Sequence, residues 1–144
     1  MLLFVYGTLL KGQRNHIRML DVKAKLVGAG VTAKKFKMTE NAGIPYVSKK
    51  KEVSQISGEV YEVKKGEAIR YLDRFEGHPR FYRRERTTIH LEDGSKLRAW
   101  LYFCEKGSGT IVPNGNFKTR MREVTQQFYK YRAKSDAWAD FFNN

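Results

Sequence analysis

Cysteine is nearly absent, and the single Cys104 cannot form an internal disulfide, which fits a reducing, cytoplasmic setting. Long apolar runs are missing too: none approaches the length that spans a bilayer, so no membrane role is expected. Residues 1–6 lack both the charged n-region and the length of a signal peptide. The three histidines, His16, His78 and His90, stand apart from one another, which removes any metal-ligand cluster at the usual spacings. Repeats, low-complexity tracts and linkers are also lacking, so residues 1–144 are expected to form one domain. Acidic residues are few, 15 Asp and Glu against 28 Lys and Arg, leaving a net charge of +13. That excess favours polyanions through counterion release. The basic residues are nevertheless dispersed, as in Lys34-Lys35, Lys49-Lys50-Lys51, Arg83-Arg84 and Lys130 with Arg132 and Lys134. No helix-turn-helix, zinc finger or RNA-binding sheet signature focuses them, so a solvated face is preferred over a nucleic-acid contact.

What is present is a strand-rich pattern. Leu2-Leu3-Phe4-Val5-Tyr6 is a continuous apolar run that Gly7-Thr8 ends, reading as a buried strand entering a tight loop. Asn15 is placed to cap a short helix carrying Ile17 and Leu20. Residues 25–38 read as strand interrupted at Gly28 and Gly30, which suggests a bulge or close backbone approach. A turn at Asn41-Ala42-Gly43, before Pro45, leads into Tyr46-Val47. Residues 53–63 alternate as a strand, and Asp93-Gly94 between two β-like runs signals a hairpin. Residues 107–115 read as loop with a turn at Pro113-Asn114-Gly115. Phe117, Met121, Val124, Phe128 and Tyr131 then mark an amphipathic helix, and Ser135-Asp136 is expected to open a last turn docking Trp138, Phe141 and Phe142. The expected class is α+β: a small mixed-strand β-barrel, whose closure removes exposed edges, with short helices outside.

The segment that organises the chain is residues 69–82. Ala68, Ile69, Leu72 and Phe75 give one apolar helical stripe, and Gly77 with Pro79 ends the helix. Glu76, four residues after Leu72, continues that stripe at the helix end. A carboxylate there is disfavoured as an anion, and its pKa rises. Taken alone, the segment leaves two readings. Either Glu76 turns to solvent or pairs with an arginine among 74, 80, 83 and 84, or it is an acid held in a desolvated site.

Val5-Tyr6-Gly7-Thr8-Leu9, with Lys11-Gly12 and Asn15-His16 after it, resembles the gamma-glutamylcyclotransferase-like family, nearest in length and motifs to its gamma-glutamylamine cyclotransferase members. Leu72-Asp73-Arg74-Phe75-Glu76-Gly77, Gly58-Glu59-Val60-Tyr61, Pro79 with Tyr82 and Arg83, and Ala99-Trp100-Leu101-Tyr102 carry the same likeness, as do Ile111, Gly115 and Phe117. The resemblance implies a barrel with a cavity at one end, lined by the loop of Tyr6, Gly7, Thr8 and Leu9 and faced by Glu76. It implies intramolecular aminolysis of a small γ-glutamyl substrate to 5-oxoproline and a free amine, without cofactor or metal. An α-amino group of pKa about 8 is mostly ammonium at neutral pH and needs a base. Glu76 is therefore assigned as base and then acid, and the resemblance implies that the loop's N–H groups hold the substrate's α-carboxylate. By themselves those loop residues read rather as a strand-ending turn in which Tyr6 is core and Thr8 caps.

Tyr82 and Tyr102 are candidates to line the pocket or bind the ligand, against the alternative of core aromatics. Arg83 is expected as a structural partner of Glu59 or Asp73, Cys104 as a packed hydrophobe, and His78 has no role. The competing reading is a non-catalytic basic barrel that binds nucleic acid or an acidic partner, supported by the +13 charge.

Overall fold

The computed structural model describes residues 1–143, with side chains for residues 1–136. Eight strands and three helices follow the order β1 (Leu2–Val5), α1 (Ile17–Asp21), β2 (Lys25–Thr32), β3 (Lys37–Asn41), β4 (Ile44–Ser48), β5 (Ser57–Glu62), α2 (Glu67–Glu76), β6 (Arg83–Leu91), β7 (Lys96–Phe103), β8 (Thr110–Ile111) and α3 (Phe117–Asn143). Strands β1, β5, β2, β6 and β7 close a barrel in that order. Every pairing is antiparallel except β1 with β7, which meet in parallel at Leu3 and Trp100. The fold is thus a mixed-strand α+β barrel. Strands β4, β3 and β8 form a separate three-stranded sheet.

The hydrophobic pattern explains the interior. Leu3, Phe4, Val60, Ile89 and Leu101 are fully buried, one or two from each of four barrel strands, and Leu72 of α2 joins the same core. The register of β2 against β5 shifts between Leu26 and Gly28, so the bulge read from the glycines is present. A Cβ on Gly30 would sit 2.3 Å from the His90 carbonyl oxygen, so only glycine admits this approach of β6 to β2. The Asp93-Gly94 turn joins β6 to β7, and β3 turns into β4 through Ala42 and Gly43, both at positive φ.

Four local expectations are overturned. Residue 15 does not cap α1: His16 occupies the cap position and makes no side-chain cap bond. The helix does carry Ile17 and Leu20, both more than half exposed, while Met19 is buried. Residues 107–115 contain strand β8, held by β3 rather than by its own pattern. The apolar stripe of α3 docks only at its start, where Phe117 is buried and Met121 packs on the core. Phe128 and Tyr131 are 56% and 74% exposed. Helix α3 runs unbroken through Ser135-Asp136, so no new turn opens there. The docking expected of Trp138, Phe141 and Phe142 lies outside the described side chains. Among the described residues no helix is long and apolar enough to cross a membrane.

Candidate active site

Where β1 leaves the barrel, residues 6–10 turn sharply. The Leu10 N–H donates to the Gly7 carbonyl at 3.0 Å, and the Asn15 N–H to the Thr8 carbonyl at 3.0 Å. His16 Nδ1 lies 2.8 Å from the Leu9 carbonyl oxygen; a carbonyl only accepts, so Nδ1 carries the proton. The loop is pinned further by the Lys11 N–H, which donates to Glu59 Oε1 at 2.9 Å. These bonds consume carbonyls and later N–H groups. Among the described residues, the N–H groups of Gly7, Thr8 and Leu9 have no protein acceptor. Gly7 is required because a Cβ there would lie 2.4 Å from Pro45 Cγ, so β4 packs directly on the loop backbone.

Helix α2 delivers Glu76 to the same place. Ile69 and Leu72 bury the inner stripe, and Gly77, left-handed at φ 70°, stops the helix with Glu76 as its last residue. Glu76 borders a cavity of about 430 Å³ together with Tyr6, Gly7, Thr8 and Leu9. Burial pushes the Glu76 pKa up to about 7, and the opposing charge of Arg18 only partly offsets it. The negative end of the α2 dipole acts in the same direction as burial. Arg18 itself lies over the Phe75 ring at 4.0 Å and donates to the Tyr71 hydroxyl at 3.1 Å, so it is held beside the site rather than on the carboxylate.

Tyrosines build part of the wall, and a half-buried ion pair stands behind Tyr102. The Tyr6 hydroxyl donates to the Tyr102 carbonyl at 2.6 Å, Tyr82 to the Pro45 carbonyl at 2.9 Å, and Tyr102 to Asp73 Oδ1 at 2.7 Å. Burial raises all three phenol pKa values, so each remains a protonated donor. Arg84 grips Asp73 with two bonds, Nε to Oδ1 at 2.9 Å and Nη2 to Oδ2 at 3.2 Å. Burial opposes the Asp73 charge, but these bonds and that from Tyr102 prevail and hold its pKa below the ordinary value.

The seven residues singled out from sequence, Tyr6, Gly7, Thr8, Leu9, Glu76, Tyr82 and Tyr102, therefore border one cavity. The arginine pairing differs from expectation. Arg84, not Arg83, meets Asp73, because strand alternation turns neighbouring side chains to opposite faces. Glu59 instead takes the Lys11 N–H, the Tyr61 hydroxyl at 3.1 Å and Lys118 at 3.8 Å. His78, given no role, accepts the Arg84 N–H on Nδ1 at 3.2 Å. Cys104 is buried, as expected. Sequence reasoning missed Arg14, Ile44, Pro45, Tyr46, Arg74 and Phe81, which also border the cavity, as does Asn15. Only Arg74 carried a signal, as the third residue before Gly77 on the stripe-bearing helix.

Residues 3–119 match the family described as gamma-glutamyl cyclotransferase, AIG2-like. MJ1514 of Methanocaldococcus jannaschii, provisionally named a gamma-glutamylcyclotransferase, is 43% identical over 115 residues, covering 80% of this chain and 93% of the relative. Gamma-glutamylaminecyclotransferase of Rattus norvegicus is 39% identical over 95 residues, covering 62% of this chain and 63% of the rat protein. The crystal structure of an AIG2-like protein of Mus musculus superposes with a TM-score of 0.65 at 31% identity, over 74% of this chain and 78% of the mouse chain.

Proposed function

This chain belongs to the gamma-glutamyl cyclotransferase, AIG2-like family, and from that premise we propose that it converts a γ-glutamyl amine or γ-glutamyl amino acid to 5-oxoproline and the free amine. In this reading the α-amino nitrogen of the γ-glutamyl unit attacks its own γ-carbonyl carbon. One C–N bond forms and closes the lactam; the C–N bond to the departing amine breaks. Glu76 takes the proton from the attacking nitrogen and returns it to the leaving nitrogen, so the sum needs no outside acid or base. A carboxylic acid of ordinary pKa would be a poor proton donor at neutral pH, whereas one near 7 serves both steps, for a gain of roughly 10²–10⁴-fold.

The N–H groups of Gly7, Thr8 and Leu9 act on the other side. They hold the substrate's α-carboxylate and polarise the γ-carbonyl oxygen as it becomes anionic. The rings of Tyr82 and Tyr102 serve as wall, since both hydroxyl protons are already given to protein acceptors.

The observation that carries the reading is that Glu76, its pKa raised by burial, borders one cavity with the loop whose Gly7, Thr8 and Leu9 N–H groups have no protein acceptor among the described residues. The test is release of 5-oxoproline from a panel of γ-glutamyl amines and amino acids. Glu76→Gln is expected to fold and to lose turnover; wild-type activity in that variant removes the assignment.

A further inference from the structure

The outer face of the β6–β7 hairpin gathers cations that look scattered along the chain. Residues opposite one another in an antiparallel pair share a face, and here Arg84 meets Tyr102, Arg86 meets Trp100, Thr88 meets Arg98 and His90 meets Lys96. Alternation sends Thr87, Ile89, Ala99 and Leu101, all buried, to the opposite face. Arg84 is committed to Asp73. Arg86, Lys96 and Arg98 are exposed, and among the described residues none of them joins a salt bridge. The half-buried Trp100 ring carries the guanidiniums of Arg84 and Arg86 at 4.8 and 5.1 Å from its centre, which holds both against the sheet. Beside them the Ala33 N–H donates to the Thr88 carbonyl at 2.8 Å, so the chain leaving β2 brings the exposed Lys34 and Lys35 alongside β6. The acids Glu92 and Asp93 stand at the hairpin tip, past the pair of His90 and Lys96.

A face of this kind complements a polyanion. Charge alone would also suit an acidic protein, but the centre of a stable protein interface is apolar. No large apolar side chain of β6 or β7 is exposed. A phosphodiester backbone asks only for charge and N–H donors, and guanidiniums meet its oxygens two at a time. Lys96 and Arg98 follow one another at alternate positions of β7, about 7 Å apart along the strand, with Arg86 diagonal to Arg98 on β6. The Trp100 ring is already covered by arginines, so it offers no open surface on which a base could stack.

We propose that this face binds the phosphate backbone of a nucleic acid through Arg86, Lys96 and Arg98, without reading its bases, beside whatever chemistry the cavity performs. None of the three borders the cavity, so the proposal stands or falls apart from the γ-glutamyl reading. The expectation that the basic residues are merely solvated gives way at this one face, because strand register places there cations that lie ten or more positions apart in the chain.

The probe is a short, fluorescein-labelled RNA strand of mixed sequence, its binding to the full chain followed by anisotropy between about 50 and 200 mM salt. Three double variants are compared with the wild type: Arg86→Gln/Arg98→Gln, Lys96→Gln/Arg98→Gln, which leaves the Trp100 stack untouched, and Lys130→Gln/Lys134→Gln, which removes the same charge from exposed positions of α3. Each phosphate contact on a single strand adds about −0.7 to the slope of log K against log salt. Either variant of the β6–β7 face should therefore flatten that slope by about 1.4 and weaken binding about 10–30-fold at about 0.1 M salt, with the α3 variant close to wild type. A second RNA of unrelated sequence should bind within a few-fold of the first. No binding at about 50 mM salt overturns the proposal. An equal loss in the α3 variant overturns it too, because net charge rather than this face would then be responsible. Poly-glutamate of the same charge as the RNA, bound as tightly and lost with the same arginines, would replace the nucleic acid by an acidic protein partner. Strong preference for one RNA sequence would refute a contact confined to the backbone.

Discussion

Replacing Glu76 by glutamine keeps the shape of the side chain and deletes its ionisation, so stability measured against pH isolates the effect of burying the acid. Burial moves the pKa from its ordinary 4.5 to about 7. Between those values the folded protein keeps a proton that the unfolded chain has released. Stability therefore falls as pH rises through this window and levels off above it. At about 1.4 kcal/mol per pH unit, the full shift from 4.5 to about 7 is worth about 3 kcal/mol against the folded wild type at alkaline pH. The variant lacks this penalty. Its stability relative to wild type is thus expected to rise by up to about 3 kcal/mol between about pH 4.5 and pH 8, most of it between 4.5 and 7. Urea unfolding of both proteins across that range, with equal m-values, reads the difference from the midpoints. A gap that stays constant with pH would refute the claim that Glu76 is desolvated in the fold, whatever the activity of the variant. The same carboxyl should appear in catalysis as an acid limb near pH 7 in kcat/KM for the wild type.

Gly7→Ala is expected to cost about 1–3 kcal/mol and most of the activity, since the new methyl meets the rigid Pro45 ring 2.4 Å away; denaturation midpoints and 5-oxoproline release check it together. Arg84→Ala should destabilise by about 1–3 kcal/mol at neutral pH by stripping two bonds from the largely buried Asp73. Because the Asp73 pKa is depressed in the fold, that deficit should fade as pH drops below its ordinary 3.8, which acid-range unfolding curves would show. Phe117→Ala, at a buried site, is expected to cost about 3–5 kcal/mol, whereas Phe128→Ala on the exposed stretch of α3 should stay within about 0.5 kcal/mol in thermal unfolding.

The contrast between Phe117 and Phe128 illustrates why part of the fold was hidden. Both lie on one stripe at helical spacing, and periodicity states only that they share a face of the helix. It does not state whether the protein extends far enough to cover that face, and here it covers the first turns alone. The same limit applies to α1, where the sequence places Ile17 and Leu20 on a helix but does not state that both lie exposed while Met19 is buried. Strand β8 was unreadable because its two residues are exposed and owe their geometry to β3. The site was more legible. Its loop and its helix end are each contiguous motifs, so Gly7 and Glu76 stand out locally, and their family likeness tied them to one reaction. Arg14, Tyr46 and Phe81 had no such mark, since each reaches the cavity from a different connection.

What the chain order determined by itself is everything decided within a few residues: an apolar run that must be a strand, a glycine that permits a turn, a helix that stops with Glu76 as its last residue. Tertiary structure decided which strands are neighbours, and hence that the turn after β1 and the end of α2, some seventy positions apart, border one hollow. It also decided the raised pKa of Glu76. Removing water from a carboxyl takes atoms on several sides, and these come from segments far apart along the chain; their convergence is a property of the closed barrel and the β3–β4 hairpin, not of any local pattern.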